Sequence, residues 1–341
     1  MLSGKGKSRV RLDFSCADQH DVSPPEKSSL TLLLTLLLAT LLAGFASTVA
    51  ADAPTANPPR ATLSQTEIAP KRGLFYEIKG DTATVYLFGT LHVGKAEFYP
   101  LGAQTNRAMA EAQKLYLEVN LADSAALARD IGEIATYADG RSLERTLPPE
   151  LMNRVDIALR RYNLPRGSAL RMKPWMLGQT LLLLEAARQG YDAAYATEIY
   201  FLGLAAEQHK QVLGLETLAE QFTLFDRMPE VEQQRSLDEI LTALDDPGLA
   251  THLQALVDAW AHADTRGLEV ALQQEKSEPT AFARDVLPRL VDERNRTMTE
   301  KIVAIAHSGT TSFVAVGALH LVGPDGIVER LRRRGLVVRQ L

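Results

Sequence analysis

Two histidines follow the same short pattern at distant points of the chain. Tyr86 to Gly94 reads YLFGTLHVG, and Phe313 to Gly323 reads FVAVGALHLVG. In both places a run rich in apolar residues ends in glycine, and a histidine follows three positions later. Such a run predicts a buried strand that breaks into a tight turn. His92 and His320 are therefore expected just beyond two strand ends, at the edge where open α/β sheets place their ligands.

An imidazole at such an edge can bind a divalent metal through its neutral nitrogen or act as a base near neutral pH. A single histidine at a turn would more simply form a local hydrogen bond. The repeated strand, glycine and histidine pattern favours a functional role for both. If the two strands are neighbours in one sheet, His92 and His320 come together.

Acidic residues also end two strand-like runs. Glu118 closes the run KLYLEV, and Glu216 follows the short run that begins at Gln211. A carboxylate at the end of a buried strand needs a cation or a metal to offset its burial. Two histidines and one carboxylate would make a catalytic metal site that lowers the pKa of bound water and polarises a carbonyl. An ion pair with Arg294 or a helix cap is the alternative for Glu118, and a helix cap is the alternative for Glu216.

Arg294 lies in a helical stretch that carries Glu293-Arg294-Asn295-Arg296. Its guanidinium could stabilise a developing oxyanion or hold a substrate carboxylate. An exposed or salt-bridged arginine is the alternative.

Other catalytic patterns are missing from the sequence. It contains no HExxH, GxSxG or Walker A motif, and its one cysteine is Cys16 near the amino terminus. A thiolate metal site, a cysteine nucleophile and a disulfide are therefore excluded from the chain beyond that point. The net charge of −5, without a basic block, argues against nucleic acid as a partner. A peptide or a small molecule is the expected substrate.

The elements that would position these residues alternate between strand and helix, as an α/β sheet requires. The pattern predicts a first hairpin, then strands that carry His92, Glu118, Glu216 and His320 in turn. The predicted strands are Leu74 to Lys79, Thr82 to Phe88, Lys114 to Val119, Gln211 to Leu215, the run before Gly317 and Leu336 to Arg339. The predicted helices are Pro100 to Ala112, Leu143 to Arg161, Trp175 to Arg188, Thr197 to Gln208, Leu290 to Ala306 and Asp325 to Arg334.

Residues 229–288 show helical periodicity only. We interpret them as a helical excursion from the sheet that forms a lid or one wall of a cleft. The expected fold is thus a central mixed sheet flanked by helices, with this helical insertion.

The amino terminus differs from the rest. Residues 30–46 form an uncharged apolar run of 17, followed by small residues that suit cleavage after Ala50 or Ala51. The run is shorter than the roughly 20 residues of a spanning helix, although an uncleaved anchor stays open. We therefore predict a signal peptide or anchor at 1–51, a flexible linker at 52–72 and the folded domain at 73–341. Export to the periplasm or cell envelope follows, with membrane contact only through an uncleaved leader.

Several of these residues together resemble the TraB/GumN family, which includes the Tiki-type metalloproteases and bacterial proteins encoded near polysaccharide gene clusters. The resemblance covers roughly residues 73–341. The positions that carry it are Gly89-Thr90-Leu91-His92, Glu118, Leu213-Gly214-Leu215-Glu216-Thr217, Gln221, Glu293-Arg294-Asn295 and Gly317-Ala318-Leu319-His320.

The resemblance implies a fold related to the erythromycin-esterase and ChaN-like group. It implies a divalent-metal-dependent peptidase, with manganese or cobalt favoured and zinc as an alternative. His92, Glu118 and His320 become the metal or catalytic residues, with Arg294 and Asn295 supporting them.

Three hypotheses follow for the function. The first is an exported metal-dependent peptidase that uses both histidines and Glu118, with Glu216 as a further candidate ligand. The second keeps the site without a metal, so that a histidine acts as general base in an esterase-like reaction. The third is a non-catalytic protein that binds a peptide or takes part in polysaccharide export.

Overall fold

The computed structural model describes residues 72–80, 82–138, 140–280 and 282–341, which form one mixed six-stranded sheet with helices packed around it. The strands are β1 (Phe75–Lys79), β2 (Thr84–Thr90), β3 (Lys114–Val119), β4 (Gln211–Glu216), β5 (Ser312–Gly317) and β6 (Val337–Gln340). The predicted α/β class is therefore confirmed.

The order of the strands brings the two glycine and histidine motifs together. Across the sheet the order is β4-β3-β5-β2-β1-β6. The first four strands are parallel, whereas β1 pairs antiparallel with both β2 and β6. β2 and β5 are direct neighbours, and Thr90 pairs with Gly317 at their carboxyl ends. Four parallel strands thus end at one edge of the sheet.

Thirteen α-helices are present in the described ranges. They are α1 (Ala103–Glu111), α2 (Ser124–Ala135), α3 (Leu143–Thr146), α4 (Pro149–Arg161), α5 (Arg166–Ala169), α6 (Pro174–Arg188), α7 (Thr197–Glu207), α8 (Leu218–Asp226), α9 (Glu230–Leu244), α10 (Leu249–Ala261), α11 (Thr265–Ser277), α12 (Arg294–Ala306) and α13 (Ile327–Arg333). Two π-helical stretches, Phe282–Val286 and Pro288–Glu293, lead into α12.

Three predicted helices differ from those observed. α1 begins at Ala103 and not at Pro100, because Gly102 is extended and the Asn106 side chain binds the Leu101 carbonyl. The helix predicted from Leu143 to Arg161 is divided into α3 and α4, since a residue before proline, here Leu147 before Pro148, disfavours helical backbone. The helix predicted from Leu290 becomes α-helical only at Arg294.

Aromatic packing fixes α7 against the sheet. Phe201 of α7 meets Phe88 of β2 edge-on at 5.1 Å between ring centroids and lies 4.7 Å from the ring of Phe313 in β5. All three side chains are fully buried. Burial of such rings contributes roughly 1.5–3 kcal/mol each. α7 is consequently held with its first turn beside the carboxyl ends of β2 and β5.

The helical excursion packs into the core as a wall of the domain. Trp260 of α10 is fully buried, and its indole Nε1 donates to the Gly89 carbonyl of β2 at 2.8 Å. The Trp260 carbonyl accepts from the Gly73 amide at 3.0 Å. α9 lies close to α6, because a Cβ on Gly178 would come within 2.6 Å of Ile240 Cδ1. The excursion is therefore bound to β2 through Gly89, to the chain before β1 through Gly73, and to α6 through Gly178.

The predicted signal peptide or anchor at 1–51, and nearly all of the linker predicted at 52–72, lie outside the described residues. Among the helices that the structure describes, none is long and apolar enough to cross a membrane.

Candidate active site

Four side chains predicted from the sequence lie where the four parallel strands end. Glu216 is the last residue of β4, Glu118 is the next-to-last residue of β3, and His92 follows β2 by two residues. His320 lies in the 3₁₀ turn Ala318–Leu321 directly after β5. The structure thus brings both histidines and both carboxylates to one edge of the sheet.

Gly317 marks the point on which these groups converge. A Cβ on this residue would lie 3.2 Å from Glu118 Oε1, 3.4 Å from His320 Cδ2 and 3.7 Å from His92 Nε2. The φ of Gly317 is −50°, so its backbone conformation would suit other residues. Glycine keeps this space open, since a side chain would enter the gap between the two imidazoles and the carboxylate.

Asn295 orients the ring of His320. Asn295 Nδ2 donates to the Asp325 carbonyl at 3.0 Å, and its Oδ1 lies 2.7 Å from His320 Nδ1. Because the amide oxygen faces the ring, Nδ1 carries the proton and Nε2 keeps its lone pair. Burial lowers the pKa of His320 to about 3, and the Arg294 charge acts in the same direction although Glu118 opposes it. His320 is therefore neutral near neutral pH.

His92 has a different partner. Its Nδ1 lies 2.6 Å from Glu198 Oε1, and both side chains are about 5% exposed. Burial disfavours the charged ring, but the Glu198 carboxylate outweighs this and raises the pKa of His92 above its ordinary value. Glu198 belongs to the first turn of α7, which the aromatic packing described above holds in place.

Glu118 is held by three groups. Its Oε1 accepts from the Gly317 amide at 2.6 Å and lies 3.7 Å from His320 Nε2. Its Oε2 accepts from Arg294 Nη2 at 2.5 Å. Burial alone would raise the pKa of this carboxyl. Arg294, the histidines and the Gly317 amide outweigh burial and lower the pKa to about 2. Glu118 is therefore ionised. The ion pair with Arg294, which the sequence offered as an alternative role for Glu118, is present.

Arg294 connects the two strand-end carboxylates. It is the first residue of α12 and only 7% exposed. Its Nε donates to Glu216 Oε2 at 2.9 Å, and its Nη1 lies 3.3 Å from His320 Nε2. Burial raises the pKa of Glu216 despite Arg294. The helix-cap alternative for Glu216 is wrong, since Thr217 caps α8 through a capping box with Glu220.

The buried charges of the site do not balance. Glu118, Glu198 and Glu216 contribute three carboxyl groups, and Arg294 contributes one guanidinium. If all three carboxyls were ionised and both imidazoles neutral, these groups would carry two negative charges in surplus, and the raised pKa of Glu216 and the nearby Lys301 charge both reduce that surplus. A proton on His92 would reduce it further. Buried charge of this kind is costly without a cationic partner, so the site favours a positively charged ligand.

A sequence model of the family described as TraB/PrgY/gumN matches residues 74–340. The chain belongs to the TraB/PrgY/gumN family. The match spans every strand of the sheet and every residue of the site described above.

Similar curated proteins carry names that state no activity. "Uncharacterized protein YbaP" of Escherichia coli strain K12 is 23% identical over 252 residues, which are 72% of this chain and 87% of that protein. YbaP of Shigella flexneri gives the same values. An "Uncharacterized protein" of Treponema pallidum is 21% identical over 285 residues, or 79% of this chain and 83% of that protein. No solved structure matches.

In this TraB/PrgY/gumN chain, sequence reasoning found His92, Glu118, Glu216, Arg294, Asn295 and His320 but missed Glu198. A glutamate in the first turn of a helix is ordinary in sequence, because it complements the helix dipole. Only the packing of α7 against β2 and β5 shows that this carboxylate reaches His92. Within the described ranges, no three acidic, histidine or cysteine side chains are arranged closely enough to hold a metal ion.

Proposed function

We propose that the chain is an exported metal-dependent hydrolase that cleaves a peptide or a related carbonyl compound. One observation carries the proposal: His92 Nε2, the His320 ring and Glu118 Oε1 converge on the space that a side chain at Gly317 would fill. Two imidazoles with one carboxylate form a donor set suited to a catalytic divalent ion.

The donor types of these residues suit a divalent ion, and binding would require them to move closer together, since no three such side chains of the described residues are placed to hold one as they stand. Each histidine has its Nδ1 engaged by an oxygen, from Glu198 for His92 and from Asn295 for His320, which leaves Nε2 of each ring for other partners. Such outer partners are typical of metal-binding histidines.

His92 Nε2 would lie 3.7 Å from a Cβ on Gly317, whereas His320 presents Cδ2 to that space and its Nε2 lies 3.3 Å from Arg294 Nη1. A divalent cation would also offset the negative charge that Arg294 leaves uncompensated among these carboxylates. His92 and His320 would hold the ion through Nε2, with Glu118 as the carboxylate.

A bound ion would lower the pKa of a coordinated water and polarise a carbonyl. The residues of the chain would then orient and stabilise the reacting groups. Arg294 Nη1 lies beside His320 Nε2 at 3.3 Å, where it can donate to negative charge on a substrate oxygen. Glu198 holds the His92 ring. Glu216 accepts a hydrogen bond from Arg294 Nε, so Arg294 is paired with Glu216 as well as with Glu118. Glu216 as a direct ligand stays a prediction.

Metal analysis of the purified full chain tests the proposal. We expect one divalent ion per chain after incubation with Mn²⁺, Co²⁺ or Zn²⁺, lost on His92→Ala or His320→Ala. His262→Ala serves as the control, since His262 is exposed and lies at the end of α10. A peptide-library digest with and without the bound ion then measures hydrolysis. A wild-type chain that retains no ion, or variants that retain it fully, would contradict the proposal.

A metal-free hydrolase is the second candidate, and a specific contact favours it. His92 pairs with Glu198 at 2.6 Å and has a raised pKa, while Glu118 is already neutralised in part by Arg294. A histidine beside a carboxylate can serve as a general base. Hydrolysis that survives exhaustive chelation and is abolished by His92→Ala would favour this candidate over the first.

Export is part of the proposal and has its own test. Its support is the apolar run at 30–46 followed by small residues. Cell fractionation, with amino-terminal sequencing of the protein recovered from the envelope, should give a chain that begins at Ala51 or Asp52. Recovery of the chain only from the cytoplasm would refute export without affecting the metal site.

A further inference from the structure

A second charged cavity lies between α12 and α13, outside the site described above. Its volume is about 230 Å³, and it is open to solvent. Its charged lining residues are Arg296, Glu300, Asp325, Arg330, Arg333 and Arg334. Four guanidinium groups therefore face two carboxylates, which leaves a surplus of two positive charges.

The carboxylates neutralise the four arginines unevenly. Glu300 accepts from both terminal nitrogens of Arg334, and Asp325 accepts from Arg330 Nη2 at 3.2 Å. Arg333 comes no closer than 3.9 Å to Asp325. Within the part of the chain that the structure describes, Arg296 has no hydrogen bond or ion pair. Two guanidinium groups at one cavity consequently keep most of their capacity to bind an anion.

We propose that this cavity binds a phosphate group. A phosphate monoester carries about 1.5–2 negative charges, which matches the surplus of the lining. The planar fork of arginine donates two parallel hydrogen bonds to phosphate oxygens, so several arginines around one cavity suit this tetrahedral anion. A free phosphate compound offers this anion, and the phosphodiester headgroup of an acidic phospholipid offers phosphate oxygens to the same arginines with one negative charge. The proposal does not depend on the hydrolase activity.

The cavity is linked to the candidate active site through the main chain. The Asp325 carbonyl accepts from Arg330 Nε at 2.8 Å on the cavity side and from Asn295 Nδ2 at 3.0 Å on the side of His320. The Asp325 carbonyl thus lies between the cavity and the residue that orients His320.

Calorimetric titration of the full chain with inorganic phosphate, at low ionic strength, tests the proposal. The double variant Arg296→Gln/Arg333→Gln removes the two under-neutralised groups, and we expect it to weaken binding about tenfold or more, because each lost charge-assisted hydrogen bond is among the stronger ones. Arg332→Gln is the matched control. It removes one charge from α13, the helix that carries Arg333, but Arg332 pairs with Glu329 and lies outside the cavity lining.

A second arm identifies the source of the phosphate group. The same proteins are sedimented with phosphatidylcholine vesicles, with and without phosphatidylglycerol. Binding of free phosphate alone assigns a soluble ligand, and binding of phosphatidylglycerol vesicles that the double variant loses assigns a lipid headgroup. Absence of binding in both arms overturns the proposal. An equal loss in Arg332→Gln and in the double variant also overturns it, because the effect would then be general surface charge. Circular dichroism and the melting temperature confirm that each variant is folded.

Discussion

His92 and His320 share a sequence pattern but have opposite protonation behaviour. The Nδ1 of His92 faces the Glu198 carboxylate, which raises the pKa of that ring. The Nδ1 of His320 faces the Asn295 amide oxygen, and burial lowers the pKa of this ring to about 3. The surroundings of each ring, and not the shared motif, therefore set the direction in which its pKa moves.

Gly317→Ala should abolish the function of the site while leaving the fold intact. The added Cβ would lie 3.2 Å from Glu118 Oε1 and crowd both imidazoles, although the backbone conformation tolerates alanine. We expect loss of metal binding and hydrolysis, with destabilisation of about 1–3 kcal/mol from overpacking. Isothermal titration with Co²⁺ and urea unfolding measure the two effects.

Gly203→Ala is the control for this substitution. Gly203 lies in α7, and a Cβ there would meet nothing within 4 Å. Alanine should stabilise the helix by about 0.5–1 kcal/mol and leave metal binding unchanged. If Gly317→Ala binds Co²⁺ as tightly as Gly203→Ala, the space at Gly317 does not belong to the ligand.

Glu198→Gln should weaken metal binding without unfolding the chain. Glutamine keeps the shape of the side chain but removes the charge that faces His92, and loss of an outer partner typically costs 10–100-fold in metal affinity. Competition with a chromophoric chelator measures this. Glu185→Gln is the matched control, since Glu185 of α6 is also buried and accepts a hydrogen bond from the Tyr162 hydroxyl, away from the site. A Glu198→Gln affinity equal to that of Glu185→Gln would exclude a role for Glu198.

At the scale of elements, the sequence was most informative where side-chain periodicity decides the structure. β3 runs from Lys114 to Val119 as predicted, because its alternating and buried residues allow no other arrangement. Helix starts were less predictable. Arg294 begins α12 only after a π-helical stretch, which the apolar periodicity from Leu290 does not distinguish from an α-helix. That start determines where the guanidinium points, and it depends on packing that no local pattern contains.

Trp260 should anchor the helical excursion to the sheet. Trp260→Ala should cost about 3–5 kcal/mol in unfolding free energy because it leaves a large cavity. Trp260→Phe keeps most of the packing but leaves the buried Gly89 carbonyl without its donor, at about 1–3 kcal/mol. Urea unfolding gives both values.

Trp175→Phe separates the hydrogen bond from the loss of ring volume. Trp175 is also buried, but its Nε1 has no hydrogen-bond partner among the described residues. The same substitution there removes ring volume alone and should cost less than Trp260→Phe. Equal costs at the two positions would mean that the bond to Gly89 adds nothing to stability.

At the scale of the whole molecule, the order of the strands explains what sequence could and could not predict. The two motifs indicate that His92 and His320 end strands, but they do not indicate that β5 lies between β3 and β2. That order depends on pairings between residues 198 apart for β3 and β5 (Lys114 with Ser312) and 227 apart for β2 and β5 (Val85 with Ser312), which local patterns do not encode. The convergence of both imidazoles with Glu118 was predicted on the condition that the strands are neighbours, and the pairing of Thr90 with Gly317 meets that condition.

The buried site should make the metal-free protein sensitive to acid. The pKa of His320 is about 3 in the folded chain against 6.5 when unfolded, so between these values the unfolded chain binds a proton that the folded chain excludes. Stability therefore falls as pH falls through this window. Glu118, with a pKa of about 2 against 4.5, acts in the same direction below pH 4.5. The raised pKa of His92 has the opposite sign, and its stabilisation is lost only as pH rises above 6.5.

Urea unfolding of the chelator-treated full chain at a series of pH values measures this dependence. His320→Gln removes the first titration, so its stability should change less between pH 6.5 and 4.5 than that of the wild type, while the decline below pH 4.5 remains because Glu118 is still present. His262→Gln, at an exposed position, should keep the wild-type profile. If His320→Gln follows the wild type throughout, His320 is not held neutral by the fold, and its Nε2 would carry a proton where the proposed site requires a lone pair.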